Sequence, residues 1–383
     1  EGDDNPFIRF RELLHSYRLA RRQGMSDEHY LAIIRELDAK VAEVEGSGFV
    51  ITPYQHSSEL ALSFKNETGQ PSGSHKARHL MGIALHLQIV EDLGLVQELQ
   101  ERSLAIASCG NAALAAAVIA RAANRRLQVF VPPWAEEAVV ERLDALGVER
   151  IVCPRQPDDP PGDPCVLRYR EAVAKGALPF ACQGVENGLT IDGGQTLVWE
   201  LIQQHRSQGR PALDRLFVQV GGGALASSTI RGLKVAHTLG AIERLPRIHA
   251  VQPRSAHPLR KAWKRAEEQM IESPKEDIID HARRHRSEYM QPWPEEPKSI
   301  ATGILDDETY DWLAIIQGLH ETGGSVVLAS EERFAQAQKL AHDAGVLASA
   351  TGAAGLAGLL ELRGSDEVED DEEVAVLFTG VKR

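Results

Sequence analysis

Apolar and polar positions alternate along the chain in two different rhythms. From residue 103 on, short apolar runs at 103–107, 127–131, 151–153 and 178–182 are separated by longer segments with helical spacing at 112–123, 135–146 and about 165–175. Short buried strands alternating with helices predict parallel strands joined by helical crossovers, an α/β fold. The rhythm resumes with strands at 216–220, 247–251, 325–328 and 374–378. The helices expected there run from about 225 to 239 and over 308–318, 331–344 and 353–362. Upstream, Phe7, Phe10, Leu13, Leu14 and Tyr17, then Tyr30, Ile33, Ile34, Leu37, Val41 and Val44, read as two helices within 6–46. Ser26-Asp27-Glu28 is a cap signal for the second. Residues 60–65 alternate like a strand. Three stretches break the pattern: a glycine-rich polar linker at 184–194, a charged segment at 257–298 read as an exposed helical insertion, and an acidic surface loop at 364–373.

With 383 residues, two domains are expected, or one large α/β domain. A net charge of −13 and the lack of a basic stripe argue against a nucleic-acid partner. No apolar run reaches membrane-spanning length, and Glu1-Gly2-Asp3-Asp4 does not read as a signal peptide, so a cytoplasmic protein is expected. Cys109, Cys153, Cys165 and Cys182 contain no CxxC pair. They suggest neither a zinc site nor a disulfide framework.

Candidate chemistry begins at Gln70-Pro71-Ser72-Gly73-Ser74-His75-Lys76-Ala77-Arg78-His79, a turn that stops at one lysine before a long apolar helical pattern. At a helix entrance, the dipole and partial burial both disfavour an ammonium group. A neutral lysine amine is a nucleophile able to form a Schiff base; the plain alternative is an exposed loop lysine. Two glycine-containing turns follow strands and open helices, where α/β proteins hold anions. In Gly221-Gly222-Gly223-Ala224-Leu225, three glycines leave no Cβ to obstruct a phosphate. The same turn, with Ala226 and Glu243, also fits a weak dinucleotide fingerprint, which would make an NAD(P) enzyme. In Ser108-Cys109-Gly110-Asn111, a hydroxyl and an amide sit beside a helix start, to bind a ligand or simply to cap the helix. Thr379-Gly380 ends the last strand. No histidine partner marks Cys109 as a nucleophile.

Taken together these stretches resemble the fold-type II pyridoxal phosphate (PLP) enzymes, closest to the threonine synthase and serine/threonine dehydratase branch. Residues 71–78 look like the family's P-S/T-G-S-F-K-x-R motif, which makes Lys76 the Schiff-base lysine. Residues 108–111 look like its S-x-G-N loop, 221–225 like its tetraglycine phosphate cradle, and Asp192-Gly193-Gly194-Gln195-Thr196 with Glu200 like its E-G-x-x-T segment. Ser349-Ala350-Thr351-Gly352-Ala353 is similar to its E-P-S/T-G-A helix start, and 379–382 to the T-G-x-G-x-K ending of threonine synthase. The departures are His75 for Phe, His79 for Gly, Ala224 for the fourth glycine, Asp192 for Glu, and Ala112 where dehydratases carry a histidine.

The resemblance implies two open, mostly parallel, doubly wound sheets behind an N-terminal helical extension, 1–50. A larger domain would comprise 51–81 and 177–383, carrying the 257–298 insertion, and a smaller one 82–176. It implies PLP contacts from Lys76, Asn111, Gly221, Gly222, Gly223, Ala224, Leu225 and Thr379. Substrate contacts would come from Ser72, Ser74, Ser108, Cys109 and Gly110; no metal site and a homodimer are implied. A threonine hydroxyl, unlike a carboxylate, cannot hold a full proton on the pyridine nitrogen, so β-elimination or β-replacement on a hydroxy-amino acid is expected. Threonine synthesis from O-phosphohomoserine needs a cationic pocket for a second phosphate, which the sequence does not place; Arg78 is a candidate, with a structural ion pair as its alternative role. A PLP-binding protein without catalysis is a further alternative.

Overall fold

Val374–Phe378, the last strand of the chain, is buried at every position and lies in the middle of a sheet. The computed structural model describes residues 3–271 and 275–382. Among these, ten strands form: β1 (Tyr54–Ser57), β2 (Leu62–Asn66), β3 (Leu104–Ala107), β4 (Leu127–Val131), β5 (Glu149–Val152), β6 (Leu178–Pro179), β7 (Arg215–Gln219), β8 (Arg247–Pro253), β9 (Ser325–Ala329) and β10 (Val374–Phe378). They make a six-stranded sheet, β1-β2-β10-β7-β8-β9, and a four-stranded sheet, β5-β4-β3-β6. Only the β1–β2 pair is antiparallel. The chain divides into two compact units, 1–51 with 69–197 and 52–68 with 198–383. Among the described residues no helix is long and apolar enough to cross a membrane.

The first unit holds the four-stranded sheet. The helix Asn111–Ala122 is built largely from alanine, and this lets the helices Lys76–Asp92 and Asp27–Glu45 pack closely against it. Asp27–Glu45 buries Tyr30, Ile33, Ile34, Leu37 and Val41 and is capped by Ser26, whose hydroxyl accepts the His29 N–H. The N-terminal helices, expected as an extension, therefore cover the core of this unit. Residues 69–81 and 177–197, expected in the larger domain, also cluster here, since β6 pairs with β3.

The linker expected at 184–194 is in part helical, because the helix Leu189–Ser207 begins inside it. Its glycines have a packing reason: a Cβ on Gly193 would lie 2.3 Å from the Arg78 carbonyl oxygen and 2.9 Å from Gly82 Cα. The two helices touch backbone to backbone, which a polar, glycine-rich sequence disguises as a loop.

In the second unit, β7 and β10 are buried at every position, which requires both faces of the sheet to be covered. Helices Ala224–Thr238 and Trp312–Thr322 pack together, as do Glu331–Asp343 and Ala354–Gly364, the last of which crosses β7, β8, β9 and β10. Of the charged segment 257–298, residues 272–274 lie outside the described residues; the rest is helical up to Tyr289 and in part buried. Helix Pro258–Met270 buries Leu259, Ala262, Trp263 and Ala266 and packs on β9. The helix expected at 308–318 is instead Trp312–Thr322, since residues 304–311 are an irregular segment laid against the 221–223 turn.

Candidate active site

In the first unit the backbone shapes the approach to Lys76. Ser72 (φ 58°, ψ 17°) and Gly73 (φ 64°) are left-handed in succession, and only the glycine takes that conformation without strain. Glu45 Oε1 accepts the Ser72 N–H at 3.1 Å and holds the turn. Lys76 is the first residue of Lys76–Asp92 and is half-buried, with Ser74, His75 and Ala77 buried around it. Ser74 Oγ is buried and has no hydrogen-bond partner among the described residues. An unpaired buried hydroxyl costs about 1–3 kcal/mol, which a polar ligand beside Lys76 would offset.

The two histidines near the lysine are core groups. Their rings meet edge to face at 5.5 Å. His79 Nδ1–H donates to the Thr190 carbonyl at 2.8 Å. Burial, with the charges of His75 and Lys76 acting the same way, holds its pKa well below the ordinary histidine value. His79 is thus neutral near pH 7 and adds no second cation beside the lysine. Burial likewise pushes the Cys182 thiol up to about 11, against the pull of the Lys76 charge. Arg78 is wholly buried and donates to Thr196 Oγ1 at 3.1 Å, so it belongs to the helix–helix contact. Asp192 accepts the His15 backbone N–H at 2.8 Å and ties the N-terminal helices to the same region.

The loop after β3 carries Ser108, Cys109, Gly110 and Asn111, all half-buried. Asn111 is the first helical residue, and the N-cap position before it is Gly110. Ser108 Oγ meets the Gly110 N–H only at 3.4 Å. The helix that follows packs on the Pro71–Gly73 turn, making the lysine loop and this helix neighbours.

The second unit gathers the other candidates at the C-terminal ends of its parallel strands. After β7, residues 221–223 turn into Ala224–Thr238 with Gly223 at φ 104° and no side-chain cap. The N–H groups of 224–226 lack intrahelical partners, and the positive end of the helix dipole favours an anion there. A Cβ on Gly221 would lie 2.2 Å from Asp306 Oδ2 and 2.9 Å from Ile304 Cα. One on Gly223 would lie 2.8 Å from Ile315 Cδ1. The donors suit a phosphate, and the glycines are dictated by the segment laid against them. Asp306 is discordant, because its carboxylate lies against the turn with the same sign of charge as a phosphate.

Thr379 follows β10. The Gln219 amide donates to Thr379 Oγ1 at 2.6 Å and to the Gly352 carbonyl at 3.0 Å. The Thr379 N–H donates to the Gly352 carbonyl at 3.0 Å, and the Ser349 N–H to the Gly380 carbonyl at 3.0 Å. The segments 349–353 and 379–381, far apart in sequence, thus form one hydrogen-bonded unit beside the glycine turn. Gln219 and Asp306 were not singled out from the sequence. A glutamine in an otherwise apolar buried strand is a signal for Gln219; an aspartate in a polar loop gives none.

A cavity of about 700 Å³ on the four-stranded sheet, lined by Phe130, Ile151, Arg168 and Lys175 among others, involves none of these residues.

The family model described as pyridoxal-phosphate dependent enzyme matches residues 47–380. A threonine synthase from Methanocaldococcus jannaschii is 24% identical over 322 residues, 83% of this chain and 69% of its own. An L-serine dehydratase from Saccharomyces cerevisiae is 28% identical over 207 residues, 52% of this chain and 58% of its own length. Among solved structures, maize serine racemase aligns with a TM-score of 0.64 at 19% identity, covering 91% of this chain and 92% of that one. Threonine deaminase isoform 2 from Solanum lycopersicum aligns with a TM-score of 0.65 at 16% identity, covering 94% and 92%.

Proposed function

Because the chain belongs to the family of pyridoxal-phosphate dependent enzymes, we propose that it is a lyase removing the β-substituent of a small hydroxy-amino acid such as L-serine or L-threonine. The observation that carries this reading is Lys76 at its helix start, with an orphaned buried hydroxyl beside it, in a chain matched to the family over 47–380. Lys76 would hold the cofactor through its amine, and the N–H groups of 221–225 would hold the phosphate. Ser72, Ser74, Ser108, Cys109, Gly110 and Asn111 supply hydroxyls, an amide and backbone N–H groups for the substrate carboxylate and the ring oxygen. Thr379, whose oxygen accepts from Gln219, would stand at the ring nitrogen.

The bound cofactor supplies the electron sink that acidifies the substrate Cα–H. The Lys76 amine, freed when the substrate's amino group takes its place on the cofactor, would accept that proton. A hydroxyl donor leaves the sink weaker than a carboxylate partner would, which favours prompt loss of the β-hydroxyl. The second reading, threonine synthesis from O-phosphohomoserine, draws on the 24% identity to a threonine synthase. It is disfavoured by the burial of Arg78. The family match leaves the dinucleotide reading of 221–226 without support. A homodimer in the cytoplasm completes the proposal, checked by light scattering and fractionation.

The test is incubation of the yellow protein with L-serine, L-threonine and O-phosphohomoserine. A 2-oxo acid from either of the first two supports elimination. Phosphate and threonine from the third, with no 2-oxo acid, would replace it by the synthase reading, and inertness to all three would favour a binding role. Lys76→Ala is expected to abolish the visible absorbance.

A further inference from the structure

We propose that His281, His285 and Glu288 form a binding site for a divalent transition metal of the zinc class, fastening two helices of the charged segment to one another. One ligand atom from each residue lies within 4.8 Å of the others. His281 is on Lys275–Arg284, His285 immediately precedes Arg286–Tyr289, and Glu288 is within the latter.

Hydrogen-bond accounting turns both imidazoles into ligands. The buried Tyr289 hydroxyl donates to Gln269 Oε1, so its oxygen is left to accept the proton of His281 Nδ1 at 3.0 Å. The proton of His285 Nδ1 goes to the His281 carbonyl at 3.1 Å. These bonds select the tautomer with the proton on Nδ1, which leaves Nε2 of each ring as the nitrogen for a metal. A carbonyl or hydroxyl accepting the other N–H is the usual support of a metal-bound histidine. The rings stack at 4.1 Å with 27° between planes, which places the two side chains on one face.

Among the described residues, the neighbouring arginines have partners other than the Glu288 carboxylate. Arg283 pairs with Asp280 and Arg286 with Glu308, while Arg265 donates to the carbonyls of Glu288 and Tyr289. Two nitrogens and one oxygen suit zinc better than magnesium or calcium, which prefer all-oxygen sets. At Zn–N distances of about 2.0–2.1 Å the ligand atoms must close to roughly 3.3 Å. His285 and Glu288 are exposed and can swing inward. The absence of CxxC pairs says nothing about such a site, because its ligands are histidines one helical turn apart.

The test uses holoenzyme stripped with chelator and returned to metal-free buffer, titrated calorimetrically with zinc chloride. One zinc ion per chain is expected at micromolar affinity or tighter, with no heat from magnesium at the same concentrations. His285→Ala and Glu288→Gln, both at exposed positions, are each expected to weaken binding at least tenfold while the visible absorbance is unchanged. No zinc binding by the unaltered protein, or zinc affinity in both variants equal to that of the unaltered protein, overturns the proposal.

Discussion

A methyl group at residue 221 has nowhere to go. It would meet the Ile304 Cα as well as the Asp306 carboxylate, and backbone cannot rotate away as a side chain can. Gly221→Ala is therefore expected to cost about 1–3 kcal/mol in stability and to weaken cofactor binding at least tenfold, read from urea denaturation and from absorbance during titration with PLP. Asp306 makes the opposite prediction. Its carboxylate shares the turn with the proposed phosphate, so Asp306→Asn should tighten cofactor binding severalfold, most visibly at low salt where charges are least screened. Unchanged or weaker binding would mean that Asp306 leaves the turn or serves it. Neither effect was legible beforehand. Three consecutive glycines announced a tight turn in the sequence, but the group that packs on them is some 80 residues away and looks like any loop aspartate.

Among elements, strands β2, β4 and β7 to β10 were readable because their apolar runs are short and bounded by turn residues. Leu127–Val131 and Val374–Phe378 match the expected limits. The helix Leu189–Ser207 was misread at its start because its glycines serve a neighbouring helix and not the local chain. Elements also hide polar contacts that spacing does not reveal. Lys65, on β2, has no exposed surface and donates to Glu200 Oε2 at 2.7 Å, the Thr52 carbonyl at 2.6 Å and Gln204 Oε1 at 2.7 Å. Removing one member of a buried pair leaves an uncompensated charge, at a cost of about 3–5 kcal/mol. Lys65→Met should lose about that much in chemical denaturation, and Lys65→Met with Glu200→Gln should recover part of it. If the single variant loses under 1 kcal/mol, the pair is not what holds β2 to the Leu189–Ser207 helix.

For the whole molecule, acid is the expected weakness. His79 is held well below the ordinary histidine value by burial, and His249 is lowered to about 3 by burial and then by Arg215 and Arg247. His249 is locked neutral: its Nε2 accepts from Arg215 at 3.1 Å and its Nδ1–H donates to Ser325 Oγ at 3.0 Å. Depressed histidine values mean that the unfolded chain binds protons first. The stabilisation is complete above about pH 6.5 and falls as pH drops below it, by about 1.4 kcal/mol per unit for each histidine. Melting temperature should therefore decline between pH 6.5 and 5, and His249→Gln, though less stable at pH 7, should show a shallower decline.

The position of Val374–Phe378 in the sheet sets a timetable for synthesis. The strand lies between β2 and β7, yet the ribosome makes it about 300 residues after β2. At roughly 5–20 residues per second, β2 waits on the order of 15–60 s with one edge unpaired. The six-stranded sheet cannot zip up progressively as the chain emerges; it closes in one late step. Until then, the nascent chain exposes two facing strand edges shaped to take a strand, and any stray β-segment of suitable pattern competes for the gap.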